Sequence, residues 1–431
     1  MMLPIRSLIF LLVFALSWTV PTAPAIAAEP SETFRARAGQ LMEFFAEEAE
    51  PAEMFTDSFL TQVPEAQLDA IAAQIEGQFG KALEVERIEA AGPHQGKVFV
   101  RFEKAVVEME MRTQPDPPHL IAGLLITGSE TIDDSPEALL EELRRLPGTT
   151  SFAIARLDAD GPNYLHRHNA GEPLASGSAF KLFILAELAR QIEAGELGWS
   201  DVVALDRASL PSGILQDWPQ GSPLTLHTLA SLMISRSDNT ATDMLLHALG
   251  REKVEALLPT LGLADPARNR PFLSTYEFFV LKGLEDDSLA AAYADADEAG
   301  RRALLDRINA VPRGDIDLLA LASEPKRIDR IEWFASAEDF VRTMDWLRRH
   351  GGETALEIMA INPGIGETTA EELAYLGFKG GSEPGVINLS FLLRNEAGQW
   401  YAVSGAWNNP DAAVENATFV TLMSRAVQLL R

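Results

Sequence analysis

The sequence contains no cysteine, and this absence limits both the fold and the chemistry that the chain can support. Disulfide frameworks, cysteine nucleophiles, iron–sulfur clusters and Cys-ligated zinc are all excluded. The fold must therefore be held together by buried apolar side chains. With 431 residues, of which 47% are hydrophobic, the chain is long enough for two or three domains that each bury a core.

The charge balance excludes a further class of function. The sequence has 36 Lys and Arg residues against 63 Asp and Glu residues, which gives a formal net charge of −27. An acidic surface repels a phosphate backbone, and the sequence has no basic stripe that would offset the repulsion. We therefore expect no nucleic-acid partner.

The first 28 residues have the pattern of a secretory signal peptide. A single charge, Arg6, precedes an apolar run from Leu8 to Val20, and small residues follow at Ala25-Ile26-Ala27-Ala28. This order is typical of a segment that is cleaved on export. The alternative is an uncleaved anchor, but the run is shorter than the roughly 20 residues that cross a bilayer. We expect an exported protein, periplasmic or secreted, without membrane insertion after cleavage.

Residues 29–147 are predicted to form a small α+β domain. Apolar residues recur at helical spacing over 32–50 and 67–82, and strand-like alternation follows over 97–102 and 106–111. Helices followed by an antiparallel sheet resemble the cone-shaped fold of the nuclear transport factor and ketosteroid isomerase group. The resemblance rests on the order of the elements, because no motif accompanies it.

Three further features complete this first domain. The stretch 119–127 is nearly all apolar and is predicted to be a strand buried on both faces. Glu108 and Glu110 alternate with apolar neighbours and are interpreted as the solvated face of a strand, so no catalysis is expected here. An amphipathic helix over 135–146 ends at Pro147-Gly148, which we take as the domain boundary.

Residues 148–431 carry the recognisable chemistry. Ser178 and Lys181 stand three apart at the start of a long apolar helix, so that both side chains lie on one face. A neighbouring lysine, or a base linked through it, can activate a serine hydroxyl, and the helix N-terminus favours a developing oxyanion. A second S-x-x-K sequence at 323–326 contains Pro325, which is incompatible with a helix interior.

Two more elements follow along the chain. Ser237-Asp238-Asn239 comes after an apolar helix, and Lys379-Gly380-Gly381-Ser382 begins a strand-like stretch. Each has a structural interpretation of its own. Asp238 and Asn239 are good N-cap residues, and paired glycines suit a strand edge or a bulge.

Together, S-x-x-K, S-D-N and Lys-Gly-Gly in this order resemble the class A serine β-lactamases and the penicillin-binding proteins over roughly residues 149–431. The pairing with a cone-shaped first domain resembles two-domain β-lactamase-like proteins of actinobacteria. The resemblance implies an α+β fold in which an antiparallel sheet is flanked by helices. Strands near 151–168 and 379–407 would form the sheet, and a helix over 417–430 would pack on it.

The resemblance also implies roles for particular residues. Ser178 would be the acylated nucleophile, and Lys181 would be its proton acceptor or the group that orients the acceptor. Ser237 would pass a proton to the leaving nitrogen. The oxyanion hole would be formed by the backbone N–H groups of Ser178 and Ser382. The implied substrate-binding residues are Asn239, Lys379, Gly381 and Ser382.

Two departures from the family pattern affect the expected activity. Gly380 stands where a Thr or Ser hydroxyl usually helps to bind the β-lactam carboxylate. The E-x-x-[LN]-N element, whose Glu activates the deacylating water, is not found, and Ser274 stands at its spacing. Glu277 is interpreted as closing a capping box with Ser274. We expect slow deacylation, unless Lys181 or a carboxylate from 282–330 supplies the base.

No metal and no cofactor are expected. His166 and His168 alternate on a predicted strand, but the H-x-H-x-D-H pattern of metallo-β-lactamases is absent. Three hypotheses follow, all with a small-molecule partner. The first is an exported serine hydrolase that opens a β-lactam or a related cyclic amide through an acyl-Ser178 intermediate. The others are an esterase or cell-wall peptidase-like acyl hydrolase, and a protein that captures β-lactams or muropeptides without turnover. The oligomeric state is not predicted.

Overall fold

The computed structural model describes residues 29–46, 48–132 and 134–431, so the predicted signal peptide lies outside the described residues. The described chain divides into two compact units between Ile126 and Thr127. None of the helices in this described part has the length and apolar character that a bilayer crossing requires.

The first unit places four helices before a four-stranded sheet whose strands lie in chain order. The helices are α1 (Glu32–Phe45), α2 (Pro51–Met54), α3 (Asp57–Gln62) and α4 (Glu65–Phe79). The strands are β1 (Ala82–Gly92), β2 (Gln95–Phe102), β3 (Ala105–Thr113) and β4 (Ile121–Thr131), the last of which extends past the boundary. Apolar side chains of α1 and α4 pack against those of β2 and β3.

Two predictions for this sheet are wrong. The stretch around β4 is not buried on both faces, because β4 is an edge strand and Leu125 is 54% exposed. Glu108 on β3 is buried, whereas Glu110 is exposed as expected. Burial of Glu108 is supported by Lys97 on β2, whose Nζ lies 2.8 Å from the carboxylate. The hydrogen bond to Glu108 raises the pKa of Lys97.

The second unit is built around a five-stranded antiparallel sheet in the order β11-β12-β13-β5-β6. Its strands are β5 (Thr149–Asp158), β6 (Gly161–His168), β7 (Leu174–Ala175), β8 (Val202–Ala204), β9 (Pro223–Thr225), β10 (Phe334–Ala335), β11 (Tyr375–Glu383), β12 (Val386–Arg394) and β13 (Trp400–Asn408). Two short pairs, β7 with β10 and β8 with β9, lie outside this sheet. The arrangement confirms the predicted α+β class.

Helices cover both faces of the five-stranded sheet. They are α5 (Pro136–Arg145), α6 (Lys181–Glu193), α7 (Leu226–Ser235), α8 (Asn239–Leu249), α9 (Arg251–Leu257), α10 (Thr275–Gly283), α11 (Ser288–Asp295), α12 (Glu298–Asn309), α13 (Leu318–Ser323), α14 (Ala337–His350), α15 (Gly352–Ala360), α16 (Glu367–Glu371) and α17 (Asn416–Gln428). Helix α5, which the sequence analysis placed before the boundary, therefore lies in the second unit.

The two faces differ because successive side chains of a strand point to opposite sides. On β5, Phe152 and Ile154 pack into the cluster formed with α5 and α17, whereas Ala153 and Ala155 face the larger cluster that contains α6 and α14. The small alanines leave room for α6, which is buried on nearly all sides. A helix that is apolar on all sides is typical of the centre of a core. Helix α6 begins directly after the turn that contains Ser178, the candidate nucleophile.

Arg425 joins α17 to the segment that leads into α5, and its removal is predicted to destabilise the second unit. The guanidinium donates hydrogen bonds to Asp134 at 2.8 Å and to Glu142 at 2.9 Å, and the Asp134 side chain is only 8% exposed. Arg425→Ala leaves that carboxylate without its partner, so we expect the free energy of unfolding to fall by about 3 kcal/mol in urea denaturation. Arg156→Ala, which breaks an exposed ion pair with Asp158, is the control. An equal loss of unfolding free energy in the two variants would contradict the prediction.

Candidate active site

Ser178 lies in a 3₁₀ turn, Gly177–Phe180, that precedes α6 rather than in the first turn of the α-helix as predicted. Gly177 has a φ of +48°, and a Cβ there would lie 2.9 Å from the backbone nitrogen of Ser382. A Cβ on Gly381 would overlap the backbone nitrogen of Ser178. Both glycines are therefore needed for edge strand β11 to approach the turn, which brings Ser178 and Ser382 to one pocket.

Lys181 is completely buried at the start of α6. Its Nζ donates hydrogen bonds to the backbone oxygen of Ser237 at 2.7 Å, to Ser237 Oγ at 3.0 Å and to Asn239 Oδ1 at 2.7 Å. Burial, reinforced by the like charge of Lys379, holds the pKa of Lys181 well below its ordinary value. The amine is therefore held in place by three acceptors, while burial makes its protonated form less favourable than in water.

Ser237 connects the two lysines. It lies between α7 and α8 with a φ of +54°, a conformation that a non-glycine residue adopts only when its surroundings fix it. Its Oγ accepts hydrogen bonds from Lys181 at 3.0 Å and from Lys379 Nζ at 3.1 Å. Lys379 lies on β11, where it also contacts the Gly380 carbonyl, and burial lowers the pKa of Lys379 to about 7.

Asp238 and Asn239 combine structural and site contacts. The predicted N-cap is confirmed for Asp238, which accepts a hydrogen bond from the Ala241 N–H at 2.8 Å. Its other carboxylate oxygen accepts from the Ile214 N–H at 2.6 Å and so fixes the preceding loop. Asn239 donates to the Leu210 carbonyl at 3.1 Å while its oxygen accepts from Lys181.

The structure thus joins most of the predicted site residues. Hydrogen bonds connect Lys181, Ser237, Asn239 and Lys379 directly. Ser178, Asn239 and Ser382 line one pocket of about 380 Å³. Lys181 directs its three hydrogen bonds to Ser237 and Asn239, and none of them goes to the Ser178 hydroxyl.

Glu277 has the structural role that the sequence analysis favoured. Its carboxylate accepts from the Ser274 N–H at 2.8 Å while the Ser274 hydroxyl accepts from the Glu277 N–H, which confirms the capping box. Arg251 also binds this carboxylate, at 2.7 Å. Burial alone would raise the pKa of Glu277, but the Arg251 guanidinium holds this pKa below its ordinary value. Glu277 is not among the residues that line the pocket around Ser178.

Sequence reasoning missed the two acids that line the pocket. Among the described lining residues these are Glu332 and Glu383, and both contact Lys282. The insert 282–330 supplies only apolar lining side chains, Leu318, Leu321 and Ala322, instead of the carboxylate considered above. No local pattern marks Glu332, because its surroundings come from distant parts of the chain.

The departure at Gly380 has a physical reason. A Cβ at this position would lie 2.7 Å from the Phe378 ring and 2.9 Å from Leu389. A hydroxyl-bearing residue of the usual pattern would therefore require the Phe378 and Leu389 side chains to shift. As for metals, no group of three or more His, Asp or Glu side chains suited to a metal ion occurs within the described residues.

Comparison with known families identifies the class, a serine hydrolase. The sequence profile described as the Beta-lactamase enzyme family matches residues 136–427. Because this match spans more than half of the chain, the protein belongs to the beta-lactamase enzyme family, as the order of its motifs predicted. No curated protein sequence matches the chain.

Solved structures that match the chain include several beta-lactamases. The one from Sphaerobacter thermophilus is 20% identical with a TM-score of 0.47, over 68% of this chain and 94% of that chain. The structure of PBP-A is 16% identical with a TM-score of 0.47, over 68% of this chain and 94% of that chain. A beta-lactamase from Chitinophaga pinensis is 15% identical with a TM-score of 0.46, over 68% of this chain and 97% of that chain.

Gly381→Ala tests whether the close approach of β11 to the Ser178 turn is required. The new methyl group would push against the Ser178 nitrogen and displace the two N–H groups. We expect the rate of Ser178 acylation by a chromogenic cephalosporin to fall about 100-fold, the effect of losing one oxyanion donor. Gly171→Ala, where a Cβ meets nothing within 4 Å, is the control. A folded Gly381→Ala protein that is acylated at the normal rate would contradict this geometry.

Proposed function

We propose that the protein opens β-lactams or a related cyclic amide through a covalent acyl-Ser178 intermediate. The observation that carries this proposal is a set of hydrogen bonds at Lys181, the buried residue three positions after Ser178. The Lys181 amine donates to Ser237 and to Asn239. A buried amine with a lowered pKa can accept a proton at neutral pH. The family assignment supports the same route.

In the acylation step the Ser178 oxygen forms a bond to the substrate carbonyl carbon, and the hydroxyl proton passes to the Lys181 amine. The backbone N–H groups of Ser178 and Ser382 stabilise the negative charge on the carbonyl oxygen. The carbon–nitrogen bond of the amide then breaks. Its nitrogen receives a proton through Ser237, whose hydroxyl lies 3.0 Å from Lys181 Nζ.

Substrate binding falls to the other predicted residues. Asn239 would hold the substrate amide, and Gly381 and Ser382 would offer the exposed edge of β11 to it. Lys379, which lies 3.1 Å from Ser237 Oγ, would face the substrate carboxylate. Its positive charge also keeps Lys181 in the neutral form.

Deacylation is proposed to be slow. The Glu that activates water in class A enzymes has no counterpart at its usual spacing, and Glu277 is bound to Arg251 and Ser274. Of the two acids that line the pocket, Glu383 is hydrogen-bonded to Lys282. Burial raises the pKa of Glu332 well above its ordinary value, which disfavours the ionised form that a base requires. An acyl-enzyme without a dedicated base persists, because water must then be activated by a less favourable route.

A second candidate function is an esterase or peptidase-like hydrolase with a different acyl substrate. The observation that favours it is Gly380, which lacks the usual hydroxyl and packs against the Phe378 ring. A substrate without the β-lactam carboxylate would not need that hydroxyl. Capture without turnover is less well supported, because both site lysines are retained and hydrogen-bonded.

Export and the role of the first unit are further parts of the proposal. The pattern of residues 1–28 supports an exported protein, periplasmic or secreted, with no membrane insertion after cleavage. We assign catalysis to residues 148–431 and none to the cone-type domain, 29–147.

Mass spectrometry of the intact protein tests the proposed nucleophile. After mixing with a chromogenic cephalosporin, we expect a mass adduct that persists while the absorbance reports little turnover. Ser178→Ala should abolish the adduct. Ser323→Ala, which alters the other S-x-x-K sequence, should leave it unchanged. An adduct that survives in Ser178→Ala would disprove the nucleophile, and fast turnover would disprove slow deacylation.

The pH dependence of substrate binding tests the role of Lys379. Its pKa of about 7 means that the ammonium is charged below pH 7 and loses its charge as the pH rises through that value. The apparent KM for a carboxylate-bearing β-lactam should therefore rise above pH 7. In Lys379→Arg, which stays charged, KM should be flat over the same range. A wild-type KM that does not change between pH 6 and 9 would exclude this role.

A further inference from the structure

The wall of the Ser178 pocket contains an acid pair that the acylation mechanism does not use. Glu332, two residues before the start of β10, and Glu383, which follows Ser382 on β11, both line the pocket. Lys282 at the end of α10 lies 2.5 Å from Glu383 Oε1 and 3.7 Å from Glu332 Oε1. These three side chains form what we call the acid cluster.

Glu332 is held rigidly beside the nucleophile's own segment. Its Oε2 accepts a hydrogen bond from the Trp333 N–H at 2.9 Å. The Trp333 carbonyl in turn accepts from the N–H of Ser176 at 3.0 Å and from its hydroxyl at 2.7 Å, two residues before Ser178. The Trp333 ring also stacks on Phe180, with centroids 3.7 Å apart.

One oxygen of this fixed carboxylate has no donor. The Glu332 side chain is fully buried, and its Oε1 accepts no hydrogen bond within the described structure, since Lys282 is too distant at 3.7 Å. A buried acceptor without a donor is costly, and native sites usually satisfy such an atom with water or a ligand. Glu332 Oε1 is therefore available to a hydrogen-bond donor in the pocket.

The acid cluster contains two acidic side chains but only one basic side chain. Two carboxylates share the single ammonium of Lys282, so full ionisation leaves one negative charge unbalanced. Burial, the charge of Glu383 and a hydrogen bond with the Glu383 carboxyl group raise the pKa of Glu332 well above its ordinary value. Such a raised pKa favours a proton on Glu332, and a bound cation would stabilise the ionised form in place of that proton.

The remaining walls suit a cation that is attached to an apolar group. The Phe278 ring contacts two other aromatic rings. Its centroid lies 4.9 Å from that of Trp333 and 5.5 Å from that of Phe279. All three line the pocket, with Leu318 and Leu321 beside them. Aromatic faces attract ammonium groups, and Lys282 Nζ already lies 4.5 Å from the Phe278 ring centroid.

We propose that Glu332, with Glu383 beside it, binds a protonated amine on the acyl part of the substrate, so that this enzyme selects acyl groups that combine an ammonium with an aryl or alkyl body. The inference rests on the proposed acyl-Ser178 route and names the substrate class for it. Glu332 acts here as a specificity-determining residue and takes no part in bond making.

Ampicillin and benzylpenicillin are a matched pair of probes, because only ampicillin carries an amino group beside the phenyl ring. We expect the second-order rate constant for acylation of Ser178 to be about tenfold higher for ampicillin, the size of one charge-assisted hydrogen bond. In Glu332→Gln the ratio should fall to about one. Asp329→Asn, which removes an exposed acid from the same segment, should keep the wild-type ratio.

The other outcomes overturn the proposal. Equal rates for the two penicillins in the wild-type protein would exclude amine recognition. A Glu332→Gln protein that keeps the ratio but accumulates acyl-enzyme from both would make Glu332 a deacylating base instead. If Glu332→Gln does not fold, N-acetylated ampicillin replaces the variant, since the wild-type protein should treat it like benzylpenicillin.

A separate measurement distinguishes failure of the proposed function from failure of this inference. If neither penicillin acylates Ser178, the β-lactam route fails, but the pocket is tested by calorimetry with two non-reactive amides. D-phenylglycinamide, which carries the amine, should bind about tenfold more tightly than phenylacetamide, which lacks it. Equal binding would overturn the ammonium site.

Discussion

The arrangement of the candidate active site depends on one buried group, the amine of Lys181 in the core of the second unit. Removing an ammonium from water is costly, so Lys181 must be surrounded by acceptors or lose its proton. Ser237 and Asn239 supply three acceptor atoms, and Lys379 approaches the same Ser237 hydroxyl. Burial and the like charge of Lys379 also hold the pKa of Lys181 well below its ordinary value. These contacts help to hold Ser237 in its left-handed conformation, and α8 begins directly afterwards, where Asp238 caps it.

The same constraint links the nucleophile to the edge of the sheet. Lys379 reaches Ser237 only if β11 lies close to the turn that carries Ser178, and this approach requires glycine at both 177 and 381. The close approach brings the Ser178 and Ser382 backbones to one pocket. The proposed base, the proposed nucleophile and the two proposed N–H donors are thus brought together by one packing arrangement, and the acid cluster adds a separate polar end to the pocket.

The sequence predicted those parts whose signals are local. The order of S-x-x-K, S-D-N and Lys-Gly-Gly identified the family, and the resemblance implied the antiparallel sheet and the C-terminal helix that the structure contains. The spacing of Ser274 and Glu277 correctly indicated a capping box, because both partners lie within one helical turn. Asp238 likewise caps α8, since its side chain bonds to a residue three positions later.

The parts that were missed depend on contacts between distant segments. Lys282, Glu332 and Glu383 belong to three different elements, so no short pattern could indicate their cluster. Glu108 resembled a solvated residue because its partner Lys97 is on the neighbouring strand. Strand β1 was not predicted, since acidic and basic residues occupy most of its exposed positions.

The most direct test of this account is the titration of Lys181 itself by ¹³C NMR of protein labelled at the lysine ε-carbon. The signal is assigned by its loss in Lys181→Arg. We predict that Lys181 titrates well below the ordinary lysine value of 10.5 and that its pKa rises in Lys379→Met, which removes the neighbouring like charge. A Lys181 that titrates near 10.5, or that does not respond to Lys379→Met, would contradict the claim that a buried neutral amine activates Ser178.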